Sequence, residues 1–320
     1  MKKLNVVYVA GAGRSGSTVL DRILGTIPGT VSTNELNRIW IDGFADNKGC
    51  SCGAVFHECR FWRAVVAEAF GSSEKVEATR MQDIWTGVDR SRHFLQLLSP
   101  VKSASFKNRL REYQDVLRRL YFAIAKVSGA ETIVDSSKIP SGALILKDVP
   151  GLDVHVIHLV RDARACVYAW QKKKQNAKSG VSLRQYTPLR TVMFWMMRNT
   201  FAGLLATQLP YVRVLYEDLM KNPRHELQRL LDRLGPFSGK RLNFATDRSI
   251  ALPEYHSISG NPDRFSNGVT DLRLDLEWMA KMNEKTRRMA TALTYPLLAK
   301  YGYTNGLYHQ EQEDSRAYAK

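Results

Sequence analysis

The amino-acid sequence predicts an α/β fold, with a parallel sheet of about five strands flanked by helices. Short β-branched runs alternate along the chain with segments of helical periodicity, which is typical of a parallel sheet covered on both faces. A glycine-rich loop follows the first run, and the other candidate motifs also lie just after predicted strands. Ligands of such sheets bind beyond the carboxyl ends of the strands, so we expect these motifs at one edge.

The strands are predicted where short apolar runs end at glycine or polar residues. The first run, Asn5–Ala10, is rich in valine and stops at Gly11. The run at 154–160 is apolar at most positions, which indicates burial on at least one face. The remaining strands are predicted at 30–33, 132–135 and 212–216.

Helices are predicted between these strands from the spacing of apolar residues. The clearest covers 105–128, where apolar positions from Phe106 to Val127 are separated by three or four residues and Gly129 follows. The last helix, at 276–301, is expected to be interrupted at Pro296. The other helices are predicted at 17–24, 164–173, 191–207 and near 225–234.

Length and composition favour one domain at 1–305, with inserted loops at about 42–105 and 172–190 and a loose polar tail at 306–320. Lysine and arginine number 47 against 31 aspartates and glutamates, a formal charge of +16 that favours an anionic partner. No apolar run approaches the roughly 20 residues of a transmembrane segment. The apolar run Val6–Ala10 is too short for a signal peptide, so we expect a cytoplasmic protein.

The most specific functional motif is the loop Gly11–Thr18, between a predicted strand and a predicted helix. Glycines let the backbone fold around an anion, while amide groups and the helix dipole face its charge. Gly11 and Gly16 fit the P-loop of nucleoside triphosphatases, but Ser17 stands at the lysine position. Arg14 supplies a cation instead, which suits a donor without a γ-phosphate. The predicted sheet is therefore of the P-loop type.

Residues Arg14–Thr18 resemble the 5′-phosphosulfate loop of sulfotransferases that use 3′-phosphoadenosine 5′-phosphosulfate (PAPS), particularly the bacterial and tyrosylprotein types. The resemblance extends from residue 5 to about 303 and is most specific in this loop. It implies an enzyme that transfers a sulfuryl group from PAPS to an acceptor hydroxyl or amine and releases 3′-phosphoadenosine 5′-phosphate (PAP). The loop residues that it assigns to the nucleotide are Gly13, Arg14, Ser15, Gly16, Ser17 and Thr18.

A second anion site is implied by the segment Val156–Arg164, which places two arginines just after a predicted strand. Arginine suits phosphate because its guanidinium donates two parallel hydrogen bonds. The resemblance makes Arg161 the main contact of the 3′-phosphate. The family usually has a serine eight residues later, where this chain has Ala169. Arg164 either compensates for that serine or forms an ion pair on its own helix.

Two later segments resemble nucleotide contacts of the family. Tyr216 begins a Tyr-Glu-Asp segment after a predicted strand and, by resemblance, lies near the adenine; packing in the core is the alternative. Asn261 and Arg264 belong to the segment His256–Phe265, which resembles a recurrent late segment of bacterial members. This segment is expected to cover the nucleotide.

Sulfuryl transfer, by analogy with phosphoryl transfer, needs a base for the acceptor proton and cations for the leaving oxygen, but requires no metal. In tyrosylprotein-type relatives a glutamate after the second strand is the base, which implies Glu35 here. Helix capping is the alternative role of Glu35, and Asp42 and His256 are alternative bases. Lys138 lies in a segment that resembles the family's Lys-x-Pro and is expected to act with Arg14 on the leaving group.

Residue types typical of zinc sites occur together at Cys50, Cys52, His57 and Cys59. Their spacing differs from the Cys-x-x-Cys pair of zinc sites, so we predict no metal ligands. A small knuckle, a redox pair and plain thiols are the interpretations left open. Cys166 is predicted to pack in the buried core.

Two other functions stay open. A small-molecule kinase of the P-loop type would use ATP and magnesium, and the missing loop lysine argues against it. A nucleic-acid binding module would explain the charge, but no recognised nucleic-acid motif is present, so we expect no nucleic-acid partner. The acceptor is left open among glycans, lipids, phenols, peptides and small metabolites, and so is the oligomeric state.

Overall fold

A computed structural model describes residues 3–172 and 185–304 of the chain. Its central sheet contains β1 (Leu4–Gly11), β2 (Thr30–Asn34), β3 (Thr132–Lys138), β4 (Leu152–Val160) and β5 (Tyr211–Leu215). Their order across the sheet is β2-β3-β1-β4-β5, and every neighbouring pair is parallel. The carboxyl ends of all five strands therefore lie at one edge. The predicted fold class and strand number are confirmed.

Helices surround this sheet. The α-helices of the described residues are α1 (Ser17–Leu24), α2 (Arg60–Phe70), α3 (Ala78–Val88), α4 (Phe94–Leu98), α5 (Ala104–Ser128), α6 (Pro140–Lys147), α7 (Ala163–Gln171), α8 (Pro188–Leu204), α9 (Tyr216–Lys221), α10 (Pro223–Arg233), α11 (Glu277–Lys281) and α12 (Glu284–Lys300). A π-helix covers Ile39–Ala45. A separate antiparallel pair, β6 (Ser249–Leu252) and β7 (Gly268–Asp271), lies beside α1.

The two faces of the sheet are buried in separate apolar cores. Side chains alternate along a strand, so Val6 and Tyr8 of β1 pack with α2, α3, α5 and α6. Val7 and Val9 point to the other face, where they pack with α1 and α10. At the carboxyl end of β4, helices α7, α8 and α12 pack around the buried Trp195. Burial on both faces explains why the strand sequences are nearly continuous apolar runs.

The segment at 42–105, expected to be an inserted loop, instead contains α2, α3 and α4. Each of these helices has eleven residues or fewer, too short for a long periodic pattern in the sequence. Their fully buried Trp62 and Trp85 join the core on the α5 face. Tertiary packing stabilises such short helices more than intrinsic propensity does.

The predicted interruption at Pro296 is wrong, because α12 continues through it. The break lies earlier, at Asn283, whose side chain accepts hydrogen bonds from the amides of Lys285 and Thr286. Proline leaves the carbonyl four residues before it without its helical donor. Pro296 and Ala292 are both exposed, so water can bond to that carbonyl and the helix tolerates the proline.

Within the described part of the chain, no helix is long and apolar enough to cross a membrane. Residues 173–184 of the expected loop at 172–190 and the expected tail at 306–320 lie outside the described residues. The described end of that loop leads into α8, which begins at Pro188.

A buried carboxyl group between α1 and β2 makes stability dependent on pH. Asp21 is fully buried, and burial raises its pKa from 3.8 to about 8, although the hydrogen bond from Ser32 opposes the shift. Between about pH 4 and 8, the Asp21 carboxyl therefore keeps its proton in the folded state and has lost it in the unfolded chain. Stability should fall as pH rises through this window, by up to about 1.4 kcal/mol per pH unit.

We expect Asp21→Asn to remove this dependence and to raise the free energy of unfolding at pH 8. The asparagine amide offers a donor where the protonated carboxyl does. Urea unfolding at pH 5 and pH 8 measures the effect, with the exposed Asp83→Asn as control. If Asp21→Asn and the wild type lose the same stability between pH 5 and pH 8, Asp21 is not the cause of the pH dependence.

Candidate active site

The phosphate loop has the backbone path that its glycines predict. Gly11 has a φ of 140°, and a Cβ there would lie 2.4 Å from the carbonyl oxygen of Leu159. Gly16 has a φ of 88°, and a Cβ there would lie 2.7 Å from the ring of Tyr216. Any other residue would be strained at either position. These two glycines therefore set the turn from β1 into α1.

The hydroxyl side chains of this loop are buried. Ser15 Oγ donates to the carbonyl of Ala12 at 2.8 Å, and Ser17 and Thr18 are buried in the first turn of α1. The first amide groups of a helix have no acceptor within the helix, and the helix dipole favours negative charge there. The loop and the start of α1 together are suited to bind an anion.

Arg14 is oriented by an aromatic ring and a polar side chain. Its guanidinium carbon lies 4.7 Å from the ring centre of Trp170, and Nη1 donates to Asn261 Oδ1 at 3.5 Å. Its φ of 66° is uncommon for a residue with a side chain. The same indole covers Gly13, where a Cβ would approach it to 2.8 Å. Trp170 thus positions Arg14 and requires glycine at position 13.

Arg161 follows β4 and contacts the phosphate loop. Its Nη1 donates to the carbonyl of Arg14 at 3.0 Å, and its Nη2 lies 3.1 Å from Asp275 Oδ2. The guanidinium also stacks on Tyr216, with its carbon 4.3 Å from the ring centre. Arg161 is 7% exposed, so it is a buried cation at the loop with a partly exposed carboxylate as partner.

Tyr216 begins α9 and lies beneath the phosphate loop. Its side chain is buried against Gly16 and Arg161. Burial raises the pKa of the Tyr216 hydroxyl, while the Arg161 guanidinium opposes that rise. The ring therefore supports both anion-binding elements from the core.

Arg164 forms the ion pair that was one of its two predicted roles. Its Nη2 lies 2.5 Å from Asp162 Oδ2, and Asp162 caps α7 by accepting from the Arg164 amide at 2.7 Å. The guanidinium carbon lies 4.9 Å from the ring centre of Trp278. Ala169 lies on the same helix, partly buried. Cys166 is buried in the core as predicted.

Glu35 and Lys138 meet at the carboxyl ends of two neighbouring strands. Glu35 directly follows β2, and Lys138 is the last residue of β3. Lys138 Nζ lies 2.6 Å from Glu35 Oε1 and donates to the carbonyl of Ser136 at 3.0 Å. The Lys138 side chain is 9% exposed and that of Glu35 is 22% exposed. The carboxylate thus keeps the greater access to solvent.

Several cations act on the Glu35 carboxylate. Burial would raise the pKa of Glu35, but the Lys138 ammonium and the Arg198 guanidinium help to hold it below its ordinary value. The carboxylate in turn opposes the lowering of the pKa that burial imposes on Arg14 and Arg264. Glu35 is therefore ionised at neutral pH and lies within a group of positive charges.

The serines before Lys138 make hydrogen bonds inside the protein. Ser136 Oγ donates to Asn34 Oδ1 at 2.9 Å. Ser137 Oγ donates to Asp135 Oδ1 at 2.5 Å. Lys138 follows with a φ of 68°. These bonds shape the turn that carries the lysine.

The late segment, with its flanking residues at 253–267, contacts both the phosphate loop and α1. Arg22 of α1 donates to three backbone carbonyls of this segment. Arg264 donates to the carbonyl of Gly49 at 3.1 Å, and Asn261 accepts the hydrogen bond from the loop arginine. The segment therefore lies over the phosphate loop in this structure.

The two alternative bases are engaged elsewhere. Arg38 Nε lies 2.7 Å from Asp42 Oδ2, and Lys48 Nζ lies 2.5 Å from Asp42 Oδ1. Burial would raise the pKa of Asp42, but these hydrogen bonds hold it at about 2. His256 Nδ1 lies 3.3 Å from Cys59 Sγ, in a separate cluster. Both side chains therefore already have close polar partners other than Lys138.

Buried donors without acceptors surround the site. In the described part of the chain, five arginines have a buried Nε with no hydrogen-bond partner: Arg14 in the loop, Arg22 in α1, Arg161, Arg198 and Arg264. An unsatisfied buried donor costs about 1–3 kcal/mol, more when it is charged. A ligand with several anionic oxygens would satisfy such donors. The residues present thus fit an anionic ligand.

Two residues of this site are not among the sequence-predicted ones. Arg198 is partly buried on α8, three residues after the buried Trp195 and four residues before the buried Ala202. A charged residue within a buried helical stripe is a signal that the sequence offered. Trp170 carried no comparable signal, because an aromatic residue on a helix is usually core packing.

Comparison with known proteins identifies one family. Residues 7–237 match the model of a family described as Sulfotransferase family. The sulfotransferase domain of the olefin synthase from Synechococcus PCC 7002 is 17% identical, with a TM-score of 0.43 over 91% of this chain and 94% of that chain. The sulfotransferase domain from the curacin biosynthetic pathway is 18% identical, with a TM-score of 0.46 over 92% and 99%. A sulfotransferase from Mycobacterium avium is 11% identical, with a TM-score of 0.36 over 73% and 64%. No curated protein matches the chain.

Proposed function

Because the chain belongs to the sulfotransferase family, we propose that it transfers a sulfuryl group from PAPS to an acceptor hydroxyl or amine and releases PAP. Family membership makes the chain a transferase, and its own residues support the choice of donor. The acceptor is a glycan, a lipid, a phenol, a peptide or a small metabolite.

The observation that carries the proposal is the group of buried, unsatisfied guanidinium donors around the phosphate loop. PAPS has a 5′-phosphosulfate and a 3′-phosphate, so it needs two anion-binding elements. Residues Gly13–Thr18 are proposed to hold the first, and Arg161 the second. The contact of Arg161 with the loop backbone supports this assignment, since the two proposed elements are then neighbours. Tyr216 supports both from below.

The late segment supplies the other proposed contacts of the nucleotide. Asn261 and Arg264 lie in a segment that bonds to Arg14 and, through Arg22, to α1. Their amide and guanidinium groups are donors suited to phosphate or adenine acceptors. The cover that the sequence predicts over the nucleotide is thus proposed to be this segment.

The pair Glu35–Lys138 supports the proposed chemistry. In the transfer, the acceptor oxygen or nitrogen forms a bond to sulfur while the bond from sulfur to the bridging phosphate oxygen breaks. Glu35, ionised and partly exposed, would take the acceptor proton. Lys138 and Arg14 would neutralise the charge that develops on the bridging oxygen. Attraction of Lys138 to that charge would weaken its pairing with Glu35 and make the carboxylate more basic.

Ser17 favours this donor over ATP. A kinase of the P-loop type uses a lysine at this position to contact the β- and γ-phosphates, together with magnesium. Here the position holds a buried serine, and the cation comes from Arg14 three residues earlier. PAPS has no γ-phosphate, so it does not need that lysine.

Calorimetric titration with PAP, ATP and 5′-AMP, with and without magnesium, tests the proposal. We expect PAP to bind tightly without magnesium and AMP to bind much more weakly, because AMP lacks the 3′-phosphate. Binding of ATP with magnesium, and none of PAP, would make the kinase the function. Binding of an oligonucleotide with a steep salt dependence, and none of PAP, would favour a nucleic-acid module.

Arg161→Ala should weaken PAP binding by about 10–100-fold, because hydrogen bonds to charged groups contribute about 1.5–3 kcal/mol. The affinity for 5′-AMP should change far less. The exposed Arg241→Ala serves as control and should bind both nucleotides like the wild type. An equal loss for PAP and AMP would mean that Arg161 acts on the loop and not on the 3′-phosphate.

A further inference from the structure

Four ligand-type side chains converge outside the proposed active site. Cys50, Cys52, Cys59 and His256 each offer one sulfur or nitrogen atom, and these atoms all lie within 4.8 Å of one another. The four cysteines of the chain are free thiols in this structure. The sequence grouped the first three with His57, but the structure brings in His256 from about 200 residues away, and His57 is exposed.

The distances within this Cys₃His cluster are close to the edges of a tetrahedron around zinc. Zn–S bonds of about 2.3 Å and Zn–N bonds of about 2.0 Å predict S···S edges of about 3.8 Å and S···N edges of about 3.5 Å. The Sγ atoms of Cys52 and Cys59 are 3.6 Å apart. His256 Nδ1 lies 3.3 Å from Cys59 Sγ and 3.8 Å from Cys50 Sγ.

The backbone holds the ligands in this arrangement. A turn brings Cys50 and Cys52 together: the Gly53 amide donates to the Cys50 carbonyl at 3.0 Å, and the Cys50 amide donates to the Ala54 carbonyl at 2.7 Å. Gly53 has a φ of 96°, which favours glycine. The tight turn lets two cysteines with one residue between them face the same point. A Cys-x-Cys spacing is therefore compatible with one shared metal here, although it differs from the Cys-x-x-Cys pair of zinc sites.

The histidine is fixed by contacts on its other sides. The ring of Phe61 stacks on that of His256, with centroids 4.9 Å apart and an angle of 6° between the planes. The Ser51 amide donates to the Ser257 carbonyl at 2.8 Å, and the Ser51 hydroxyl donates to the Tyr255 carbonyl at 2.5 Å. The two segments of the cluster are therefore held together by the backbone as well.

We propose that Cys50, Cys52, Cys59 and His256 bind one structural zinc ion. Three thiolates and one imidazole complete a tetrahedron, and catalytic zinc sites keep one position open. The ion would therefore have a structural role and no part in the transfer. Binding displaces the protons of the three thiols. This proposal stands apart from the choice of sulfuryl donor.

The position of the site defines what the ion stabilises. It joins the segment before α2 to the segment at 253–267, which lies over the phosphate loop. Arg264 makes a further link between the two segments at Gly49. Loss of the metal should loosen this connection. Because zinc binds the folded chain, a chelator should lower the melting temperature.

The metal content of the full chain, purified without chelator and with reduced thiols, tests the proposal. We expect about one zinc ion per chain in the wild type. Cys52→Ser and His256→Ala should lose most of it. His57→Ala is the matched control, since it removes an exposed histidine from the same loop, and it should keep the metal. Cobalt added to the zinc-free wild type should produce the visible absorption of tetrahedral thiolate coordination.

Three results would overturn the proposal. The first is wild-type protein with neither zinc nor the cobalt spectrum after metal addition under reducing conditions. The second is a Cys52–Cys59 disulfide in chain freshly purified without reductant, seen as the loss of two hydrogens in the mass spectrum. The third is equal metal content in His57→Ala and His256→Ala. The cobalt spectrum uses the wild type, so it remains decisive even where a variant fails to fold.

Discussion

Glu35→Gln should lower the rate of sulfuryl transfer by about 10²–10⁴-fold, the usual contribution of a general base. Glutamine has nearly the same size, but its amide does not accept the proton of the acceptor group. PAP affinity should not fall, because the negative charge of Glu35 does not attract the phosphates of PAP. PAP formation from PAPS, with the most active of a panel of phenols, sugars and amines, measures the effect.

The pH dependence of the wild type gives a second measure of the same role. Lys138 and Arg198 help to hold the pKa of Glu35 below its ordinary value. The rate should therefore fall only when the pH drops below the usual range of a glutamate, about 4.3. Glu74→Gln, on the exposed surface, serves as control and should leave both rate and profile unchanged. Near wild-type turnover in Glu35→Gln would remove Glu35 as the base.

Lys138→Met should lower the transfer rate by about 10²–10³-fold, which is typical for loss of one group that stabilises developing charge. Methionine keeps the length of the side chain but removes the cation. The substitution also takes the ammonium from Glu35, with which it pairs at 2.6 Å. The pKa of Glu35 should then rise, so the acid limb of the rate profile should move to higher pH.

This shift separates a direct role of Lys138 from a general loss of structure. Loss of one partner of a buried ion pair destabilises a protein, so unfolding of the variant is measured alongside its activity. Lys138→Arg keeps the charge and should recover part of the rate. Lys107→Met, which removes an exposed lysine of α5, is the matched control. A reduced rate with an unmoved acid limb would contradict the pairing of Lys138 with Glu35 in the active enzyme.

The strands and the phosphate loop could be predicted because local chemistry decides them. Valine-rich runs such as Asn5–Ala10 favour extended backbone, and glycines at 11 and 16 have positive φ values that other residues adopt at a cost. The long helix α5 was also predicted, since its apolar spacing repeats over several turns. Shorter helices such as α3 were missed, because their stability comes from packing.

In the candidate site, too, some features follow from local sequence and others depend on tertiary packing. Arg14, Lys138 and Arg161 each follow a predicted strand, so a parallel sheet was enough to expect them at one edge. The contact between Glu35 and Lys138 depends on β2 lying next to β3, which the strand order alone decides.

The sequence by itself determined the family, the α/β class, the phosphate loop and the charged residues that follow the strands. Only the tertiary structure decided which residues meet: Lys138 with Glu35, Trp170 with Arg14, and His256 with the three cysteines. The physical reason is the distance along the chain over which each effect acts. Backbone sterics and periodicity act over a few residues, whereas contacts between distant residues depend on strand order and on burial of apolar surface across the whole chain.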